Sequence, residues 1–250
     1  MNTEALRTVA ATYGTPTYIF DVREVEARIR LLRSLLPEDT GLCFAVKANP
    51  FLIPYVADLV DRLEVCSPGE YEICIQEQIA PEKIVVSGVN KTYESMKRIL
   101  SYSKGAGIYT IESEEHAKIL RTLAEKNQMP LSVLIRLSSG NQFGVDAETF
   151  FRLAKEIQES PYLTLAGVHY YAGTQKRQSK LEKELDTLTA FAKTFEEETG
   201  TVLNELEYGA GMKVSYFIND SEKDQRESEP EPQIQALAEK LGTCDAYGKK

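Results

Sequence analysis

Short apolar runs alternate with amphipathic stretches along most of the chain. Thr17–Phe20 reads as a strand, and Val22–Leu36 carries helical spacing with its charges on the opposite face. The run Gly41–Val46 is too brief for a helix and suits a buried strand. It meets Lys47 and stops at Asn49-Pro50, because a residue before proline is pushed out of the helical region. The pattern then predicts a helix over 51–60, a strand over Arg62–Ser67, a helix over Glu70–Gln78 and a strand over Lys83–Gly88. A helix over Thr92–Ser101 puts Tyr93, Met96 and Leu100 on one face, and Gly107–Ile111 follows as a strand. Next come helices over Glu114–Lys126 and Ala147–Glu159, with strands over Leu131–Leu137 and Leu163–Tyr171. A long helix over Lys180–Glu198 and a strand over Val202–Tyr208 complete the rhythm.

Repeating units of roughly 20 to 30 residues imply parallel strands covered by helices, and their number favours a barrel over an open sheet. Asn219–Pro232 breaks the rhythm; rich in Ser, Glu, Asp and Gln, with Pro230 and Pro232, it reads as an exposed acidic loop. Gln233–Leu241 reads as a short helix. With no internal repeat and no linker, residues 1–250 are expected to form one barrel domain.

Composition narrows the function class. A chain of 250 residues with 42% hydrophobic content buries a sizeable core. A net charge of -9 argues against nucleic acid, since no basic face exists to neutralise phosphates. No apolar run has membrane-spanning length, and Met1–Glu4 lacks the pattern of a signal peptide, so a cytoplasmic protein is expected. Cys43, Cys66, Cys74 and Cys244 are scattered without a CxxC pair. Three lie in or beside apolar runs, which suggests reduced, buried thiols. With only His116 and His169 to add to them, no metal site is expected.

Candidate chemistry falls where strands end. Lys47 lies at the C-terminal end of a strand, where α/β barrels place their reactions. Desolvated there, its amine would have a lowered pKa and could form a Schiff base with an aldehyde such as pyridoxal phosphate; the plainer reading is a lysine reaching out to water. Ser67 and Glu70 have the spacing of a capping box, which accounts for both without chemistry. Arg136, in a strand, needs an anion, either a core carboxylate or a substrate group. Strand alternation puts His169 and Tyr171 on one face and Tyr170 on the other. A lone strand histidine is more often a satisfied core residue than a catalyst, whereas an aromatic facing the barrel could stack on a flat cofactor ring. The small residues Gly209-Ala210-Gly211 after the last strand would let backbone N–H groups approach an anion.

Taken in order, several motifs resemble the alanine-racemase-like, pyridoxal-phosphate-dependent decarboxylases, the group that holds diaminopimelate and ornithine decarboxylases. They are Tyr13-Gly14-Thr15-Pro16 with Phe20-Asp21, Ala45-Val46-Lys47-Ala48-Asn49, Ser67-Pro68-Gly69-Glu70, Lys83 to Gly88, Phe143-Gly144 and Gly173-Thr174-Gln175, and the resemblance covers roughly residues 13 to 217. It implies a TIM-like (β/α)8 barrel carrying pyridoxal 5′-phosphate, a separate β domain built from the chain's two ends, an amino-acid substrate and a homodimer of the full-length protein. By resemblance Lys47 is the Schiff-base lysine. Glu64, Arg136 and Glu70 match the pocket wall, and Thr174 with Gly209, Ala210 and Gly211 matches the phosphate contacts.

Three departures stand out. Tyr171 occupies the place of the family's ring-stacking histidine and cannot do histidine's proton work near neutral pH. Ala210 interrupts the glycine triplet. The family's Glu-x-Gly-Arg strand, whose acid faces the pyridine nitrogen, and its C-terminal β domain have no counterpart in the sequence. The resemblance also puts Thr17–Phe20 outside the barrel, leaving seven strands of eight. The expectation is therefore a fragment of a decarboxylase, or a barrel closed by a partner chain, with weak turnover by itself. A racemase and a non-catalytic homologue that binds the cofactor or a partner protein are the alternatives.

Overall fold

The computed structural model describes residues 3–217 and 219–248. The chain begins with α1 (Thr3–Tyr13) and α2 (Val22–Leu35). β1 (Cys43–Ala45) leads through one-turn helical segments into α3 (Ile53–Val56), followed by β2 (Arg62–Val65), α4 (Pro68–Gln76) and β3 (Ile84–Val86). Then come α5 (Tyr93–Ser103), β4 (Ile108–Ile111), α6 (Glu114–Asn127), β5 (Leu131–Arg136) and α7 (Ala147–Gln158). β6 (Leu163–Tyr171), α8 (Gln178–Thr199), β7 (Glu205–Gly209), α9 (Glu222–Glu227) and α10 (Pro230–Gly242) complete the order. Among the described residues, seven strands form one sheet in sequence order, and every neighbouring pair is parallel. Parallel neighbours need a crossover, and the helices between successive strands supply it. The seven barrel strands expected from the sequence are all present.

Alternation sorts the strand residues into two layers. Leu63, Val65, Ile84, Val86, Tyr109, Ile111, Val133, Ile135, Val168 and Leu206 face the helices and form the main core with them. The opposite face lines the barrel interior, where Val85, Ile108 and Leu134 make a small apolar plug with Ala166. Beside small residues such as Ala45 and Gly167, the inner layer carries the polar Arg62, Glu64, Thr110, His169, Glu205 and Glu207. As alternation predicts, Tyr170 packs with the outer core, stacked against Tyr208 at 6.3 Å, while His169 points inward.

The sheet does not close. β1 and β7 are its edges, separated by a cleft of about 290 Å³ flanked by Leu32 and Leu36 of α2 and Leu237 and Leu241 of α10. The Arg62 guanidinium on β2 reaches across to Glu205 on β7 and ties the two sides together, one of its two contacts measuring 3.2 Å. No helix among the described residues is long and apolar enough to cross a membrane.

Four local expectations need correction. Thr17–Phe20 forms no strand; among the described residues it pairs with no neighbour, and Tyr18 is 92% exposed. The helix expected over 51–60 shrinks to α3, with Pro50 and Pro54 each restarting a short segment. Asn219–Pro232 is not a loop throughout, because its composition is that of helix starts. Ser221 caps α9 by accepting from the Asp224 N–H at 3.1 Å, Glu222 and Asp224 occupy the first turn, and Pro230 sits at the first position of α10. All four cysteines are free, but Cys43 is exposed on the edge strand and Cys66 is only half-buried. The helix α1 has no counterpart in the sequence reading.

Candidate active site

At the C-terminal ends of the strands, Lys47 lies in a one-turn helical segment, Val46–Ala48, directly after β1. Asn49 is extended and its side chain accepts from the Phe51 N–H at 3.2 Å, fixing the exit of that turn. Lys47 is exposed overall, although its amine is partly desolvated, and its Nζ stands 5.2 Å from the centre of the Tyr171 ring. Its pKa is raised, not lowered as the sequence suggested. Partial burial pulls it down, but the negative charge of Glu64 and further contributions from Cys66 and Tyr171 outweigh that pull.

Glu64 is the centre of an inward-facing cluster. Its Oε1 accepts from Ser87 Oγ at 2.5 Å and lies 3.5 Å from His169 Nε2. Burial would push its carboxyl up, yet the bonds to His169 and Ser87 and the charge of Lys47 hold it at about 2. Glu207, which pairs with His169 across β6 and β7, behaves oppositely. Burial raises its carboxyl to about 7, and its Oε2 has no hydrogen-bond partner. His169 is buried, and its Nδ1 is likewise unpartnered, so it is not the fully satisfied core histidine that the sequence favoured. Glu64, His169 and Glu207 each bring one ligand atom within 4.8 Å of the others, a spacing that would accommodate a cation, although cysteine and histidine spacing gave no sign of it.

Arg136 finds a core carboxylate. Its guanidinium lies 3.3 Å from Glu112 Oε2 and 5.2 Å from the Phe143 ring centre. Glu112 also accepts from the Gly88 N–H at 2.6 Å and lies 3.8 Å from Lys91 Nζ. Lys91 is 5% exposed, and its burial pulls the ammonium down to about 8. Ser67 caps α4 as expected, whereas the Glu70 side chain bonds the N–H one residue before the cap and does not complete the capping box. Ser67 Oγ accepts from the Glu70 N–H at 3.2 Å, and Glu70 Oε2 accepts from the Cys66 N–H at 2.8 Å.

Across the mouth from Lys47, β7 ends at Gly209. A Cβ there would lie 2.5 Å from the Tyr171 ring, so glycine is what lets the ring sit flat against this strand end. Gly211 has φ +59, and a Cβ on it would meet the Gly173 carbonyl at 2.0 Å. Among the described residues the N–H groups of Ala210, Gly211 and Met212 have no acceptor, and the exposed Thr174 lies in the neighbouring loop. Free backbone donors beside a hydroxyl suit a phosphate.

The residues read from the sequence thus separate into those near Lys47 (Glu64 and Tyr171), the turns that meet beside Tyr171 (Thr174 and 209–211) and those committed to protein partners (Arg136, Glu70). The inward acids Glu112 and Glu207 and the buried lysines Lys91 and Lys176 were not foreseen. Glu205 and Glu207 alternate with Leu206 and Tyr208, a period-two signal that was available.

The pyridoxal-dependent decarboxylase family, through its pyridoxal-binding domain, matches residues 22–244. A diaminopimelate decarboxylase from Actinosynnema pretiosum subsp. auranticum is 32% identical over 235 residues, covering 86% of this chain and 52% of the relative. The crystal structure of diaminopimelate decarboxylase from M. jannaschii superposes with a TM-score of 0.82 at 20% identity, over 96% of this chain and 60% of that one. The lysine/ornithine decarboxylase from Vibrio vulnificus, complexed with putrescine, gives 0.79 at 18% identity, over 96% and 63%. The chain spans about half the length of the curated relatives it matches.

Proposed function

The chain belongs to the pyridoxal-dependent decarboxylases through their pyridoxal-binding domain, and we propose that it holds pyridoxal 5′-phosphate on Lys47 and serves as a carboxy-lyase on an amino acid. The observation that carries this reading is the placement of the Lys47 amine 5.2 Å from the Tyr171 ring, beside a strand end with free backbone donors. The residues present fit that group: an amine for its aldehyde, a flat ring to support its own, and N–H groups with the Thr174 hydroxyl for its phosphate. When bound, the cofactor supplies an electron sink for the charge left behind as the substrate carboxylate leaves as carbon dioxide.

Each residue then has a bounded task. Lys47 must shed its proton to bond the aldehyde, and the Glu64 charge sets how readily it does so. Tyr171 supports the ring from one face. One guanidinium nitrogen of Arg136 is held by Glu112, which leaves its other N–H groups for an anion in the pocket. Diaminopimelate, ornithine and lysine are the substrates to assay. The open side of the barrel exposes the inner layer to water, so slow turnover by these 250 residues in isolation is part of the proposal. A homodimer of the whole protein and a cytoplasmic location complete it. Tyr171 favours one other reading, a homologue that carries the cofactor without turnover.

Visible absorbance of the purified protein with pyridoxal phosphate, before and after borohydride, tests the proposal beside Lys47→Ala. A Lys47-dependent band that borohydride fixes covalently, with carbon dioxide released from one of the three amino acids, is expected. A band without carbon dioxide release points to the carrier reading, and a folded protein without a band refutes both.

A further inference from the structure

Lys176 is 2% exposed and has no part in the roles above. Its Nζ donates to Glu184 Oε2 at 2.8 Å and to the Gly209 carbonyl at 3.1 Å. It stands 5.0 Å from the centre of the Tyr208 ring and 6.0 Å from that of Tyr171. The Tyr208 hydroxyl donates to the same Glu184 oxygen at 2.7 Å. At the other end of the residue, the Lys176 N–H donates to the Gly211 carbonyl at 2.9 Å. One residue therefore grips both carbonyls that flank Ala210. The fit is close, since a Cβ on Gly211 would come within 2.8 Å of Lys176 Cε.

A buried ion pair seldom repays its desolvation as stability, so this one calls for another use. The peptide group is planar, and its C=O and N–H point in opposite directions. Holding the Gly209 and Gly211 carbonyls towards Lys176 turns the Ala210 and Met212 N–H groups away from it. Those are two of the N–H groups left without an acceptor.

We propose that Lys176, backed by Glu184 and Tyr208, is a positioning residue that presets the Gly209–Met212 backbone as a phosphate receptor. This rests on the pyridoxal-phosphate reading and adds to it a device made from this chain's own buried charges. Lys176 does not touch the phosphate; it acts through the two carbonyls.

The test is an inorganic phosphate titration followed at the Ala210, Gly211 and Met212 amides by 15N NMR, in the wild type and in Lys176→Met. Because Lys176→Met leaves Glu184 with only the exposed Lys180, 4.0 Å away, as a cation, the double variant K176M/E184Q, which removes the carboxylate charge, is run beside it. Phosphate is expected to shift these amides in the wild type and to bind about 10- to 100-fold more weakly in both variants, the range for bonds to charged groups. Pyridoxal, which lacks the phosphate, should still react at Lys47 at the wild-type rate in both. Three results would overturn the proposal: no shift of these amides in the wild type, unchanged phosphate affinity in the double variant, or phosphate and pyridoxal weakening together with the thermal midpoint. A wild type that shows the amide shifts but forms no Lys47 band with pyridoxal phosphate counts against the decarboxylase reading alone and supports the phosphate receptor.

Discussion

Replacing Glu207 by glutamine should stabilise the protein above neutral pH. Its half-buried side chain lines the open cleft, with Oε2 buried and unpartnered; burial, opposed by His169 and abetted by Glu64 and Glu205, raises the carboxyl from 4.5 to about 7. A carboxyl whose folded pKa is raised contributes stability that is fully present below 4.5 and is lost as pH rises through about 7. The gap of about 2.5 pH units, at about 1.36 kcal/mol each, makes the ionised side chain cost about 3 kcal/mol at pH 8. Glutamine keeps the size and never ionises, so it escapes that cost. At about 2 to 4 °C per kcal/mol for a domain of this length, Glu207→Gln should melt roughly 6 to 12 °C above the wild type at pH 8. At pH 4.5 or below the two should melt together. Thermal unfolding followed by circular dichroism at both pH values reads this directly. A variant that keeps the wild-type dependence on pH, or melts lower at pH 8, would show that Glu207 is ionised at no cost and the argument is wrong.

Three further outcomes are expected. Arg62→Leu strands Glu205 and should cost about 3 kcal/mol in urea unfolding, while Arg62→Leu with Glu205→Leu regains most of it, because two apolar groups replace the pair. Gly209→Ala drives a methyl into the Tyr171 ring, 2.5 Å away, and should weaken pyridoxal phosphate binding about 5- to 150-fold for an overpacking cost of about 1 to 3 kcal/mol; an unchanged cofactor titration would refute the role given to that ring. Ser67→Ala removes the α4 cap and should cost about 1 kcal/mol of stability, with Lys47 reacting as before.

The fold was legible because its signal is local. Apolar runs of strand length, each followed by a helical stretch, are enough to announce parallel strands, and alternation alone separated Tyr170 from His169 and Tyr171. The site was legible only where one residue breaks a local pattern, as Lys47 does between an apolar run and Asn49-Pro50. Charges buried by distant partners left no such mark. Lys91 meets Glu112, and Lys176 meets Glu184 on the long helix α8. Arg136 showed that an anion was needed, but its partner lies 24 residues away on a neighbouring strand end. The acidic stretch after residue 218 misled for the converse reason: acids and prolines that suggest disorder also begin helices, and Lys213 holds Asp224 and Glu227 of α9 in place at 2.5 and 2.8 Å.

The raised pKa of Lys47 links the inner cluster to the chemistry at the mouth. An ammonium cannot attack an aldehyde, so the rate at which Lys47 captures pyridoxal phosphate near neutral pH follows its small unprotonated fraction. Glu64 supplies the leading charge that keeps the proton on, and it can do so because its own carboxyl stays ionised down to about 2. Glu64→Gln keeps the shape and a hydrogen-bond acceptor for Ser87 while removing that charge. The Lys47 pKa should therefore fall, the pH–rate profile of capture should move to lower pH, and capture at pH 7 should speed up although the thermal midpoint drops. Stopped-flow absorbance across pH 6 to 10 gives the profile. If the variant's profile overlays that of the wild type, Glu64 does not set the Lys47 proton, and its place in the barrel is structural.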